Sequence, residues 1–396
     1  VVAALAPGVA WFYDEPRLVA VTLGLSLVFV FGGCTVQHQA LLRRHMRFFR
    51  LGIVEVVAMA AAVAAAVFAG LLGAGYWSLV ILHITLAVAI AVGMWIAMPW
   101  LPGRPKKGAG VREMLGFGGN ITGYNLVNYF ARNADNILIG KFIGAAALGF
   151  YSKAYGLLML PISQIRSPIV SVGLPGLSRL QEDDLRYRSY YLKMLRVIAF
   201  VSVPIVGFLG AYAHQIVLLV LGPQWEQSAE IFRILAIAAL IQPLMGTEAM
   251  VMISSGNTDR YFRLGVWTSV IYVASFGLGL PWGAGGIATS YTIANYLILI
   301  PVLLYAFTGT PIHLRDFFKS ISLPFVATVI MVIVSKIIFG FSLKFIRDFA
   351  LIPALFAAII VYFATYIILP GGKQILRELK EFYRIILKPA KTQKFF

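Results

Sequence analysis

The sequence predicts an all-α polytopic membrane protein: two homologous six-helix lobes, the first lacking its first two helices, plus two C-terminal transmembrane helices. Three observations carry this. Of 396 residues, 60% are hydrophobic and 12% charged, with a mean hydropathy of +0.85, whereas soluble domains carry about 25% charged residues. Apolar runs of about 20 residues, the length that crosses a bilayer, recur along the chain. The chain also repeats itself. Arg47-Phe48-Phe49-Arg50-Leu51-Gly52-Ile53-Val54 returns 213 positions later as Arg260-Tyr261-Phe262-Arg263-Leu264-Gly265-Val266-Trp267, and Gly73-Ala74-Gly75 returns 210 later as Gly283-Ala284-Gly285. Basic loop matches basic loop, so the repeat is parallel, with its axis along the membrane normal, and two such lobes are the physical basis of alternating access.

Composition also excludes. The net charge of +17 belongs to basic loops on one side of a membrane, not to nucleic-acid binding. Cys34 is the single cysteine, so neither a disulfide framework nor a cysteine metal site is available. The five histidines are scattered without the spacing of a metal helix. Nucleotide-binding and hydrolase motifs are missing, and no cofactor or metal is called for. Transport would run on an ion gradient, on the substrate's own gradient, or on a partner.

In order, residues 1–13 read as the end of a helix. Clear spans follow at 18–38, 50–72, 76–98, 192–212, 264–281, 286–308, 319–340 and 349–369. Three more are long but polar, at 114–140, 145–174 and 228–254. Arginine and lysine crowd alternate loops: Arg43, Arg44, Arg47 and Arg50; Arg104, Lys106, Lys107 and Arg112; Arg179, Arg186, Arg188, Lys193 and Arg196; Arg260 and Arg263; Arg315 and Lys319; then the tail from Lys373 to Lys394. All of these fall on one side of the threaded spans, which puts the C-terminus in the cytoplasm. Short far-side loops leave no room for an extramembrane catalytic domain. The tail places Ile375, Leu379, Phe382 and Ile386 at helical spacing between basic residues, as an amphipathic helix on an anionic leaflet does; a solvated tail reads equally well. The division expected is 1–100 for the end of helix 3 to helix 6, 111–310 for helices 7–12, and 315–396 for helices 13–14 and the basic tail. Spans 114–140 and 145–174 have no counterpart in the first lobe. Two helices, about 100 residues by the repeat offset, are therefore expected before Val1.

Specific residues sharpen this. Asp135-Asn136-Ile137-Leu138-Ile139-Gly140-Lys141-Phe142-Ile143-Gly144, followed by Leu148-Gly149-Phe150-Tyr151-Ser152-Lys153-Ala154, resembles the signature of the Wzx-type polysaccharide and O-antigen flippases. These belong to the multidrug/oligosaccharidyl-lipid/polysaccharide exporter superfamily. Pro161, Leu174-Pro175-Gly176-Leu177-Ser178-Arg179-Leu180-Gln181 and Leu221-Gly222-Pro223-Gln224-Trp225 fit the same pattern. The resemblance implies a cargo of sugar repeat units linked through diphosphate to undecaprenyl, moved from the cytoplasmic to the periplasmic leaflet of a bacterial inner membrane. It implies a lipid-linked oligosaccharide, membrane lipids, a proton or sodium ion, and polysaccharide polymerase machinery as partners, and no nucleic acid.

Charges inside spans are costly, so each is a functional candidate. Asn125, Asn128, Arg132 and Asp135 step by three, four and three, which places them on one helical face. Arg132 suits a diphosphate through its planar fork of donors; an Arg132–Asp135 ion pair that locks the helix explains the spacing equally well. Lys153 and Arg166 are further cavity candidates, although both could end among lipid headgroups. Asp135 and Glu248 are the ion-coupling candidates, Glu248 being the deep carboxylate after Pro243 and Gly246. Arg233, Glu55 and His83 are weaker, each close to the end of a span. Glu182-Asp183-Asp184 reads as a helix start. The leading function is a flippase of lipid-linked oligosaccharides, a transporter and not an enzyme. A multidrug exporter is the nearest alternative, but its usual cationic cargo prefers carboxylates in the cavity. A membrane glycan polymerase or glycosyltransferase would need a large external loop or an acidic catalytic motif.

Overall fold

A computed structural model describes residues 1–45, 47–101, 129–130, 132–343, 349–373, 375, 377 and 378. They form two compact units, Val1–Ile121 and Thr122–Phe396. Among the described residues no strand occurs. Eight helical segments are long and apolar enough to cross a membrane, or nine if one bent pair counts as a span.

The first unit contains α1 (Val2–Tyr13), α2 (Arg17–Arg44), α3 (Phe48–Leu71) and α4 (Trp77–Ala97). Lipid is as apolar as leucine, so these helices associate by close packing at small residues. A Cβ on Gly93 of α4 would lie 2.6 Å from Val54 Cγ1 of α3. The buried core is thin, made of Leu42, Leu51 and Met94 with Val54 and Ile90 against it. His38 and Thr35 of α2 are buried polar side chains at this end, the His38 Nε2 lying 3.1 Å from the Trp100 carbonyl oxygen and its ring 4.5 Å from that of Trp95. Glu55 and His83 are exposed.

The second unit runs through α5 (Ala134–Leu138), a π-helical turn (Ile139–Ile143), α6 (Ala145–Arg179), α7 (Asp184–Ala211), α8 (Ala213–Leu221), α9 (Glu226–Ala239), α10 (Gln242–Met245), α11 (Thr247–Ser254), α12 (Thr258–Gly279), α13 (Gly283–Phe307), α14 (Leu314–Ser342) and α15 (Leu351–Ile368). Tyr191, Met194 and Ile198 of α7 are the middle of one core, shared with α11, α13 and α14. Tyr151, Leu158, Phe232 and Ile287 hold a second, joining α6, α9 and α13. The final pair packs on α7, where Phe200 meets Tyr362 and Tyr366 at 5.4 and 4.9 Å. Arg188 of α7 clamps Asp316 of α14 with two hydrogen bonds, 2.9 and 2.6 Å. Arg196 reaches Glu378 at 2.7 Å, and Ile375 packs on the aromatic cluster. This stretch of the tail is thus docked; Leu379, Phe382 and Ile386 lie outside the described residues.

Three expectations need correction. Residues 228–254 do not form one helix: α9 ends at Ala239, and the segments Pro223–Ala239 and Gln242–Ser254, the second made of α10 and α11, are bent by 42°. Proline explains the place, because Pro243 cannot donate to the Ala239 carbonyl four residues back and its ring crowds it. Helix α7 begins at Asp184 rather than near 192, since the Asp183 side chain caps it by accepting from the Arg186 N–H at 3.1 Å. The acidic cluster is therefore a helix start, as expected. The face expected through 114–140 is interrupted at Asn133 (φ −110°, ψ 16°), which precedes α5.

The two basic segments of the sequence echo each supply one arginine to the end of a neighbouring helix. In the first unit Arg50, at the start of α3, donates to the Ala97 carbonyl at the end of α4, 3.5 Å away. In the second, the counterpart of Arg50 is Arg263, yet it is Arg260, at the start of α12, that donates to the Thr308 carbonyl at 2.7 Å and to that of Tyr305, at the end of α13. Cations belong at helix C-termini, whose last carbonyls lack partners. Gly73 and Gly283 open the two corresponding turns with φ of 83° and 70°, conformations that glycine adopts without strain.

Candidate functional site

Asp135 is positioned from both sides. It lies in the first turn of α5, 6% exposed, and accepts hydrogen bonds from the Asn136 N–H at 2.8 Å and the Tyr151 hydroxyl at 2.9 Å. Asn133 folds the chain just before it, donating to the Tyr129 carbonyl at 2.9 Å. Past the π-helical turn, Gly144 adopts φ 115°, ψ 170°, a region almost closed to other residues. That kink returns the chain as α6 and brings Tyr151 against Asp135. The two halves of the signature stretch are therefore one structural device.

Helix α6 carries an exposed polar face. Ser152, Lys153, Gly156, Leu160, Ser163 and Gln164 are exposed, while Tyr151, Ala154, Leu158 and Ile162 are buried. The spacing is that of one helical stripe. Apart from Leu160, every exposed member is polar or glycine, which lipid cannot satisfy. Lys153 belongs to this stripe. Arg132 is also exposed and acts electrostatically on Tyr155 of α6. It does not share the setting of Asp135, which is buried on Tyr151; the interruption at Asn133 separates them. Asn125 and Asn128, expected on the same face, lie outside the described residues.

Arg166 and Glu248 come together. Half-buried Arg166 donates from Nη2 to the Gly246 carbonyl at 3.3 Å, between α10 and α11, and acts electrostatically on the Glu248 carboxylate. Glu248 Oε2 is enclosed and has no hydrogen-bond partner. An unpaired buried carboxylate oxygen is expensive, so the nearby guanidinium is its compensation. Arg233 of α9 is exposed and takes no part.

Between Asp135 and Glu248 lies a polar layer that the charge search missed. Tyr155 and Tyr291 interact electrostatically, and Gln242 donates to the Tyr291 hydroxyl at 2.8 Å. The Tyr272 hydroxyl donates to Asn295 Oδ1 at 3.1 Å, and Asn295 Nδ2 to the Tyr291 carbonyl at 2.8 Å. Asp135 acts on Tyr155, and Glu248 on Tyr272. The signal was present, since Tyr151 and Tyr155 on α6, and Tyr291 and Asn295 on α13, are i, i+4 polar pairs inside apolar spans. Among the described residues no cluster of three or more metal-ligating side chains occurs. The arrangement thus offers a buried carboxylate at Asp135, a half-buried one at Glu248 with an enclosed oxygen, and an exposed cation, Lys153, on α6.

Comparison with known proteins places this architecture. A family described as polysaccharide biosynthesis protein matches residues 1–230. The chain is similar to the teichuronic acid biosynthesis protein TuaB of Bacillus subtilis (strain 168), 26% identical over 355 residues, which are 85% of this chain and 70% of that protein. It is similar to the lipopolysaccharide biosynthesis protein WzxC of Escherichia coli (strain K12), 23% identical over 337 residues, 81% of this chain and 66% of that one. Its fold resembles the lipid II flippase MurJ in an inward closed conformation, with a TM-score of 0.68, 14% identity, and coverage of 94% of this chain and 75% of MurJ. With the family match covering more than half of its residues and the helical architecture agreeing, the chain belongs to the polysaccharide biosynthesis protein family and is a multi-pass membrane protein.

Proposed function

We propose that the protein flips undecaprenyl-diphosphate-linked oligosaccharide repeat units from the cytoplasmic to the periplasmic leaflet of a bacterial inner membrane, as a transporter and not an enzyme. The polar stripe of α6 carries this reading: a span-length helix exposes Lys153, Ser163 and Gln164, which suits a wet path for an anionic headgroup. Arg132, Lys153 and Arg166 supply the cations; Asn125 and Asn128 are further candidates for contact with the cargo. Arginine forks fit diphosphate oxygens two at a time, and basic cytoplasmic loops steer the anion inward. Asp135 and Glu248 couple transport to protons or sodium ions. The two units correspond to two homologous lobes with the C-terminus in the cytoplasm, and polymerase machinery receives the product. The relatives' names, teichuronic acid and lipopolysaccharide biosynthesis, support a glycan cargo.

The test is export in cells whose own copy is deleted. Arg132→Ala removes export while the protein still inserts in the membrane, and Arg132→Lys retains part of it. Asp135→Asn does not restore export to Arg132→Ala, because Asp135 is bound to Tyr151 and not to Arg132. Full export by Arg132→Ala would remove Arg132 from the path; restoration by Asp135→Asn would make the pair a structural lock.

A further inference from the structure

The seat of Arg166 is built for it. Gly246 has φ −77° and ψ −2°, which any residue adopts, so its backbone does not demand glycine. The guanidinium does: a Cβ at Gly246 would lie 1.9 Å from Arg166 Nη2 and 2.1 Å from Cζ. The bond that holds Arg166 there is a single long one, 3.3 Å to the Gly246 carbonyl, from a group with five donors. It is a seat that can be vacated.

Among the described residues no second cation acts on Glu248. Glu248 acts electrostatically on Tyr191 of α7 and Tyr272 of α12, but each hydroxyl is engaged. Tyr191 is hydrogen-bonded to Thr247 at 2.9 Å and Tyr272 to Asn295 at 3.1 Å. On α13, Tyr291 is acted on by Tyr155 and Tyr272. Arg166 is the positive group that acts on Glu248, and it follows Ser163 and Gln164 of the exposed stripe on the same helix.

We propose that Arg166 is an exchangeable ligand, neutralising Glu248 in the empty protein and leaving Gly246 for the diphosphate of the cargo, so that Glu248 must take a monovalent cation in its place. Cargo and cation then bind together. This rests on the flippase reading. The charge balance closes: the cargo gains the guanidinium, and the enclosed carboxylate gains one proton or one sodium ion from solution. No bond is made or broken.

The experiment measures binding of geranyl diphospho-N-acetylglucosamine, a diester whose charge is constant near neutral pH, to the purified protein in nanodiscs. Coupled uptake of one cation tightens the dissociation constant by up to about tenfold for each tenfold rise in its concentration. A dependence on pH at fixed sodium identifies the proton, and a dependence on sodium at fixed pH identifies sodium. Glu248→Gln should bind with neither dependence. Gly246→Ala, whose Cβ evicts the guanidinium beforehand, should also lose the linkage while still binding. Wild-type binding indifferent to both cations would overturn the exchange and leave the flippase reading standing, as would linkage that survives in Glu248→Gln. No binding of the probe by the wild type would overturn both.

Discussion

Replacing Tyr151 by phenylalanine isolates one hydrogen bond at Asp135, the buried carboxylate of α5. The ring of Tyr151 is 1% exposed and stays in place among Leu158, Phe232 and Ile287, so the change opens no cavity of consequence. What is lost is the 2.9 Å bond to Asp135 Oδ2. A hydrogen bond to a charged group contributes about 1.5–3 kcal/mol. Neutral bonds between membrane helices average only about 0.6 kcal/mol in double-mutant cycles. The two ranges barely meet, so the cycle decides which regime holds. With Tyr151→Phe, Asp135→Ala and the double variant, reversible unfolding in mixed micelles should give a coupling of about 2 kcal/mol, within the range for charged partners. Asp135→Ala alone should cost more than Tyr151→Phe, because it also frees the Asn136 N–H, which bonds Asp135 Oδ1 at 2.8 Å. Additivity of the single variants to within about 0.5 kcal/mol would refute the pairing.

Three other expectations follow from the geometry. Gly144→Ala forces a side chain into φ 115°, ψ 170° and should destabilise the protein by about 1–3 kcal/mol; a neutral effect in the same unfolding assay would show that the kink relaxes without loss. Arg188→Asp should impair folding yield, and Asp316→Arg in that background should restore it, since the pair exchanges two bonds at 2.9 and 2.6 Å; no rescue would mean that α7 and α14 are held by packing alone. In a variant lacking Cys34, a membrane-impermeant maleimide applied to intact cells should label Trp282→Cys and miss a cysteine at Arg188. Labelling at Arg188 would overturn the charge-derived orientation.

The Arg260 echo shows what periodicity and charge can convey. Its repeat was visible because each basic pair, Arg47 with Arg50 and Arg260 with Arg263, supplies one arginine to the open carbonyls at the end of the next helix, and such needs recur with the fold. Apolar spans were legible for a similar reason, being set by bilayer thickness. The break at Pro243 was harder to place, because proline inside a membrane helix is often absorbed by neighbours. At the site, charge alone pointed to Arg166 and Glu248, but their meeting depends on α6 crossing the α10–α11 break, a tertiary fact. Arg132 and Asp135 were joined by helical phase, which assumes an unbroken helix; Asn133 ends that assumption. Tyr151, Tyr291 and Gln242 carry no charge, so charge and hydropathy do not single them out, yet buried Tyr151 and half-buried Gln242 and Tyr291 belong to the polar layer between the two carboxylates.

The central claim is that lipid-linked glycan crosses the membrane through this protein. Its most direct test is to delete the gene and assign accumulated undecaprenyl-diphosphate-linked oligosaccharide to a leaflet, using a membrane-impermeant lectin on intact cells and on inverted vesicles. The account predicts accumulation on the cytoplasmic leaflet, reached only in inverted vesicles and cleared when the gene is restored. Accumulation on the periplasmic leaflet would contradict it, and would place the protein after the crossing instead of at it.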